Sequence, residues 1–145
     1  MLTPLSKKRE LKVVLDTNVW VSALLWGGKP AAIIQAAEEG IVVIFISEGI
    51  VAEIGKVLAY PKLEKIYRPE RRREDLMEQV LKNSKFVRAL AKVQVIQEHP
   101  ADNKFLDCAL AANADYIVSG DKHVLKVVSY KKTKILTVSD FLKLI

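Results

Sequence analysis

The chain has 145 residues, half of them hydrophobic, which suits one domain with a substantial core and is too short for two. No apolar block approaches the roughly 20 residues that cross a bilayer, and no run of signal-peptide length follows the basic N-terminus, so we expect one cytoplasmic domain over residues 1–145. The single cysteine, Cys108, excludes an intramolecular disulfide framework and a cysteine-rich zinc site. A formal net charge of +6 favours a polyanionic partner without identifying one.

The first half of the chain alternates short apolar runs with helical patterns. Near-continuous apolar runs at residues 11–15 and 41–46 predict buried strands of a sheet that is covered on both faces. Between them, Pro30 can begin a helix at its first turn and Gly40 can end it. Ser47 can cap the next helix, whose apolar residues fall on one stripe.

The second half continues the alternation. A charged stretch from Pro69 to about Lys92 predicts one or two helices, and another follows at residues 103–112. A final helix capped by Ser139 runs through Leu144. Three further strands are predicted at residues 93–96, 116–118 and 134–137. Because strands and helices alternate, we expect an α/β fold, a three-layer α/β/α sandwich with a central, mainly parallel sheet of about five strands.

Two aspartates come shortly after predicted strands. Asp16 directly follows the first strand, and Asp121 follows strand 116–118 by way of Gly120, which permits a sharp turn. Ligands of open parallel sheets bind outside the carboxyl ends of the strands, so both positions indicate a site. For either aspartate alone, capping the next helix is the more ordinary role. Two such positions together favour a functional site.

Helical periodicity distinguishes three further carboxylates. The helix predicted at residues 103–112 has an apolar stripe, and extending that stripe toward the N-terminus places Asp102 near the middle of its width. At the start of the helix, the carboxylate of Asp102 can lie over the edge of the sheet or cap the helix. Asp107 falls about 140° away, beside Asn103 and Lys104, on a face that we expect to be solvated. Glu53 lies at the flank of the apolar stripe of its helix, and periodicity alone favours a surface glutamate there.

Carboxylates that converge would require a cation. Their mutual repulsion raises their pKa values unless positive charge neutralises them. All-oxygen ligation selects Mg²⁺ or Mn²⁺, and such ions can activate water and stabilise charge on a phosphodiester. The two histidines, His99 and His123, are too few and too far apart in the sequence to suggest a zinc site.

Three blocks of the sequence follow the pattern of a known family. They are Val14-Leu15-Asp16-Thr17-Asn18-Val19 with Ser22 downstream, Glu53 after the second strand, and Asp102-Asn103-Lys104-Phe105-Leu106 leading through Ala109 to Ser119-Gly120-Asp121. In this order and spacing the chain resembles the PIN-domain nucleases, specifically the branch of VapC-like toxin components of toxin-antitoxin systems. The resemblance covers nearly the whole chain, and its last block is the most specific.

The resemblance implies a catalytic and metal-binding role for Asp16, Glu53, Asp102 and Asp121, with Asn18 and Ser119 as supporting hydrogen bonders. It also implies Mg²⁺- or Mn²⁺-dependent cleavage of RNA, restraint by a cognate antitoxin and, in many members, homodimerisation. We expect Asp16 to ligate the metal and Glu53 to ligate it or orient the attacking water. One departure is that the segment from His99 to Ala101 lacks the acidic residues often found before the third carboxylate, which leaves metal affinity and ion number open.

A basic segment surrounds Tyr67. It predicts a phosphate-tracking surface for RNA formed by Lys62, Lys65, Arg71, Arg72 and Arg73. The equally weighted alternative is a solvated helical face on which these cations pair with neighbouring acidic side chains. Trp20 and Trp26 follow in a helical pattern after Asp16, and packing in a core or interface is favoured over stacking on bases.

Two other functions fit parts of the sequence. Asp16 could be the nucleophile of a phosphatase, but a haloacid-dehalogenase-type site would have a second aspartate where Asn18 stands. A catalytically weak PIN fold that only binds RNA or a protein is the non-enzymatic alternative, although all four acidic positions are present. The sequence contains no Gly-x-Gly-x-x-Gly turn and no Gly-Lys-Ser/Thr P-loop, which excludes those nucleotide-binding sites.

Overall fold

A six-stranded sheet organises residues 9–145, the part of the chain that the computed structural model describes. In chain order its strands are β1 (Leu11–Leu15), β2 (Val42–Ile46), β3 (Lys85–Phe86), β4 (Tyr116–Val118), β5 (Ser129–Tyr130) and β6 (Thr133–Leu136). Their order across the sheet is β3-β2-β1-β4-β6-β5, and only the hairpin of β5 and β6 is antiparallel. The expected mainly parallel sheet is confirmed, with six strands instead of about five.

Eight α-helices within residues 9–145 accompany the sheet. They are α1 (Thr17–Trp26), α2 (Gly28–Glu38), α3 (Glu48–Leu58), α4 (Pro61–Tyr67), α5 (Arg73–Lys82), α6 (Asn103–Ala112), α7 (Lys122–Leu125) and α8 (Val138–Leu142). Helix α6 packs across β1, β2 and β4, whereas α2 contacts β2 and α7 contacts β6. This arrangement confirms the α/β class and is consistent with a three-layer sandwich. No helix in these residues is long and apolar enough to span a bilayer.

The core forms where the apolar stripes of the helices meet the central strands. Leu15 on β1, Trp20 on α1 and Phe105 on α6 are fully buried. Cys108 is also fully buried, and burial raises the pKa of its thiol to about 12, so it serves as a small core residue. Leu110, a large apolar residue of the same helix as Phe105, is instead exposed.

Residues 93–96, predicted as a strand, do not join the sheet. Their peptide N–H groups instead donate to side chains of α6. The side-chain oxygen of Asn103 accepts from Val95 (3.1 Å) and Ile96 (2.8 Å), and Asp107 accepts from Val93 (2.6 Å). These contacts hold Ile96 in a buried position, which explains the apolar pattern of the segment. The segment nevertheless forms no hydrogen bonds of a β-ladder with a neighbouring strand. The strand prediction was therefore wrong, as was the solvated role predicted for Asp107.

Two helical predictions also need correction. The stretch predicted as helical from residue 69 to 92 contains only α5, and it then forms the short edge strand β3. The last helix is capped by Thr137, whose hydroxyl accepts from the backbone N–H of Asp140 (3.1 Å), and not by Ser139. Helix α6 spans residues 103–112 as predicted.

Candidate active site

Asp16 lies at the carboxyl end of β1, where the chain enters α1. Its Oδ1 accepts a hydrogen bond from the backbone N–H of Asn18 (3.2 Å), so it also caps α1. Its Oδ2 accepts from the hydroxyl of Ser119 (2.5 Å). Asp16 is only 4% exposed, and burial raises the pKa of its carboxyl to about 6 despite these hydrogen bonds, with further increases from Asp102 and Asp121. A buried carboxylate near other carboxylates destabilises the fold, which favours a functional role.

The end of β4 forms the adjacent part of the site. Strand β4 lies beside β1, and the backbone N–H of Asp16 donates to the carbonyl of Val118 (2.9 Å). Ser119 is fully buried, and its hydroxyl both donates to Asp16 and accepts from the backbone N–H of Asp121 (3.0 Å). Asp121 in turn caps α7 by accepting from the backbone N–H of His123 (2.7 Å). Ser119 thus connects the two strand ends that carry Asp16 and Asp121.

Asp102 reaches the same edge from a different element. It ends a 3₁₀ turn (Pro100–Asp102) at the start of α6 and is half-buried. Although it occupies the N-cap position, its carboxylate makes no capping hydrogen bond to α6 within the described chain. Burial raises the pKa of this carboxyl, and the carboxylates of Asp121 and Glu53 raise it further. Asp102 therefore lies within electrostatic reach of both.

Glu53 on α3 is held by one neighbour on each of two other helices. The hydroxyl of Thr17 on α1 donates to Oε1 of Glu53, and the ammonium of Lys104 on α6 lies 2.6 Å from Oε2. The side chains of Glu53 and Lys104 are 28% and 21% exposed. Periodicity alone had favoured a surface glutamate, so these contacts support the position that the resemblance implied.

These four residues, which we call the carboxylate cluster, are Asp16, Glu53, Asp102 and Asp121. Their donor atoms are all oxygen and their repulsion raises pKa values, which fits a hard divalent cation. As they stand, however, no three His, Cys, Asp or Glu side chains within residues 9–145 are close enough to hold one ion together. The cation in direct contact with the cluster is Lys104.

Sequence reasoning missed Thr17 and Lys104. Lys104 was assigned to the solvated face of α6, yet its long side chain reaches Glu53 on α3. One signal was available, since Lys104 is the only basic residue between Asp102 and Asp121. Asn18 was predicted to support the site with its side chain. That side chain is exposed, and the contact with Asp16 is made by the backbone N–H of Asn18.

The two histidines are close together despite their separation in sequence. The rings of His99 and His123 lie 4.0 Å apart between centroids, and Nδ1 of His123 is 3.0 Å from Glu98. They meet because His99 precedes the turn that carries Asp102, while His123 follows Asp121. Their distance in the sequence therefore does not keep the two rings apart in space, and no group of three His, Cys, Asp or Glu side chains that could hold a metal ion forms within residues 9–145.

Two arginines of the basic segment around Tyr67 make contacts within the protein. Arg71 donates to the carbonyl of Leu24 near the end of α1 (3.0 Å), and Arg72 pairs with Asp75 (3.6 Å). Such contacts favour the structural alternative for these two arginines. Lys62, Lys65 and Arg73 are exposed. A role in RNA binding stays a prediction for the segment.

Comparison with known proteins places these features in a family context. A model of the PIN domain family matches residues 12–123, which include the whole carboxylate cluster. An uncharacterized protein of Methanocaldococcus jannaschii is 32% identical over 122 residues, or 83% of this chain and 77% of that protein. The crystal structure of VapBC2 from Rickettsia felis, bound to a DNA fragment from their promoter, contains a chain with the same fold. That chain has a TM-score of 0.60 and 15% identity, over 88% of this chain and 98% of its own length.

Proposed function

Because the chain belongs to the PIN domain family, we propose that it is a divalent-metal-dependent endoribonuclease whose active site is the carboxylate cluster. PIN domains are generally nucleases. The observation that carries the proposal is the burial of Asp16 beside Asp102 and Asp121, with its pKa raised to about 6. Without a cationic ligand, the repulsion between these carboxylates and the lost hydration of Asp16 both oppose folding.

The carboxylate cluster would hold Mg²⁺ or Mn²⁺ through its oxygen atoms. When bound, such an ion lowers the pKa of water and stabilises the charge that develops on a phosphodiester. The carboxylate of Asp16 is held in one orientation, since Asn18 and Ser119 each donate to one of its oxygens. Hydrogen bonds of this kind fix the direction of a ligand and tune its affinity.

We assign to Glu53 the orientation of the attacking water. Thr17 and Lys104 already fix both of its carboxylate oxygens. In the reaction, the water oxygen forms a bond to phosphorus as the bond to one ribose oxygen breaks, and that oxygen leaves with a proton. No covalent bond between protein and phosphate is needed. The net charge of +6 supports a nucleic-acid substrate despite the acidic site.

We predict that purified protein cleaves single-stranded or structured RNA when Mg²⁺ or Mn²⁺ is added and that EDTA stops the reaction. Asp121→Asn should slow cleavage about a hundredfold or more, because it removes one charge from the metal site. Asp140→Asn is the matched control, since Asp140 is an exposed carboxylate on α8 outside the cluster. Full activity of Asp121→Asn would overturn the site assignment, and an inert wild-type protein would leave a binding module as the better proposal.

We also propose that the nuclease is the toxin of a toxin-antitoxin pair and is restrained by a cognate antitoxin. The support is the shared fold with a chain of the VapBC2 complex from Rickettsia felis. A small antitoxin-like open reading frame beside this gene should encode a protein that co-purifies with the chain and inhibits it. Light scattering on the free chain would show whether it forms the homodimer that the resemblance implies. Absence of such a reading frame would favour a stand-alone nuclease.

A further inference from the structure

A cleft of about 420 Å³ lies beside the carboxylate cluster. It is bounded by the start of α3, by residues 86–92 after β3, and by the first turns of α6. We call it the basic cleft. Its volume lies within the range of pockets that hold small ligands.

Three cations line the basic cleft: Arg88, Lys92 and Lys104. Arg88 and Lys92 are exposed and form no ion pair within residues 9–145. Two carboxylates also line it, Glu48 and Asp107. Asp107 accepts from the backbone N–H of Val93 (2.6 Å) and Lys104 contacts Glu53, so among the described residues the cations without an ion-pair partner in the cleft are Arg88 and Lys92.

An aromatic ring lines the same cleft. Phe86 is 59% exposed at the end of the edge strand β3. Exposed aromatic rings next to cations form the stacking surfaces of proteins that bind single-stranded nucleic acid, where bases stack and phosphates contact the cations. Phe86 with Arg88 and Lys92 has this combination, which a purely apolar docking surface would lack.

The segment that continues from the wall of the basic cleft is hydrogen-bonded to α6, the helix whose Lys104 contacts Glu53 of the carboxylate cluster. Asp107 on α6 holds Val93, and Asn103 holds the next residues of the segment. Lys104 belongs to both places, because it lines the cleft and also contacts Glu53. A nucleic-acid backbone that runs along Lys104 would therefore pass directly from the carboxylate cluster into the cleft.

We infer that the basic cleft binds a nucleotide of single-stranded RNA next to the cleaved bond, with its phosphate on Arg88, Lys92 and Lys104 and its base on Phe86. This inference rests on the proposed function, since it concerns the same substrate. It assigns affinity for the RNA backbone to this surface in preference to the basic segment around Tyr67, where Arg71 and Arg72 already have partners in the fold.

The test measures binding of a fluorescein-labelled oligouridine by anisotropy over a range of KCl concentrations. All proteins carry Asp16→Asn so that the RNA is not cleaved. Arg88→Gln with Lys92→Gln should reduce the slope of log affinity against log salt by about 1.4, because each phosphate contact to a single strand contributes about 0.7. Phe86→Leu should weaken binding at least about fivefold with the slope unchanged, since stacking carries no net charge.

The matched control is Lys131→Gln with Lys134→Gln. It makes the same charge change on exposed residues of the β5–β6 hairpin, at the side of the sheet away from β3. A smaller slope for the cleft variant with an unchanged slope for the control supports the inference. Equal slopes for the two double variants, or oligouridine affinity that is unaffected by Phe86→Leu, overturn it. If wild-type protein cleaves RNA while the cleft variants bind normally, only this inference fails, whereas absence of any RNA binding overturns the proposed function as well.

Discussion

Asp16→Asn is expected to slow RNA cleavage severely while it stabilises the metal-free protein. Burial raises the pKa of Asp16 from 3.8 to about 6, so between these pH values the native protein holds a proton that the unfolded chain has released. The free energy of unfolding therefore falls as the pH rises through this interval. The change in pKa corresponds to about 3 kcal/mol. Asparagine carries no charge, its oxygen can accept from Asn18, and its amide N–H can donate to the Ser119 hydroxyl in the reverse of the native direction. The pH-dependent loss of stability is therefore absent in the variant.

Urea unfolding in EDTA would measure the effect. At about pH 7.5 we expect Asp16→Asn to be more stable than wild type by up to about 3 kcal/mol, and near pH 4 the difference should nearly vanish. Added Mg²⁺ or Mn²⁺ should stabilise wild type but not the variant, because an ion that binds only the native state shifts unfolding by mass action. Cleavage should fall about a thousandfold. A variant that is less stable than wild type at neutral pH would contradict the argument, and Asp140→Asn should match wild type throughout.

Asn103→Ala is expected to destabilise the protein by about 3 kcal/mol and to loosen the segment before α6. Asn103 is buried, and its side chain accepts from Val95 and Ile96 and donates to the carbonyls of Ile96 (2.9 Å) and Pro100 (3.0 Å). Alanine would leave the buried N–H and carbonyl of Ile96 without these partners, and each unsatisfied buried group costs about 1 to 3 kcal/mol. Since Asp102 directly precedes Asn103, its position in the site would also become less defined.

Hydrogen exchange would locate this effect. The amides of Val95 and Ile96 should lose protection in Asn103→Ala even where global unfolding does not limit exchange. Metal affinity should fall about 10- to 100-fold through the displaced Asp102. Asn83→Ala is the control, because Asn83 makes a single exposed hydrogen bond at the end of α5 and should cost less than about 1 kcal/mol. Unchanged exchange at Val95 and Ile96 would show that the segment is held by other contacts.

The central strands could be predicted because their sequence signal is local. In β1, β2 and β4, burial on both faces requires nearly continuous apolar residues, and the predicted runs agree with the strands within one residue. The same rule failed at residues 93–96, where Ile96 is buried but side chains of α6 replace the neighbouring strand. An apolar run indicates that a segment is buried. Burial does not specify which groups form hydrogen bonds with the peptide N–H and C=O groups of that segment.

The site could be predicted to different extents at its different residues. Asp16 and Asp121 were indicated by their positions after strands, because adjacent parallel strands bring their carboxyl ends together. Glu53 could not be assigned from its own helix, since its position in the cluster depends on how α3 packs against α1 and α6. The resemblance indicated it only because a family pattern reflects tertiary contacts that one sequence does not display.

Asp16 shows most directly what the sequence determined by itself and what only the tertiary structure decided. The sequence determined that a carboxylate follows the first strand of a parallel sheet and caps the next helix, because both depend on neighbours in the chain. The tertiary structure decided its burial, its hydrogen bond from Ser119 and the proximity of Asp102, which together set its pKa. It also placed Lys104 against Glu53. Charge interactions depend on distances through space, and residues far apart in the chain acquire those distances only when the sheet and helices pack.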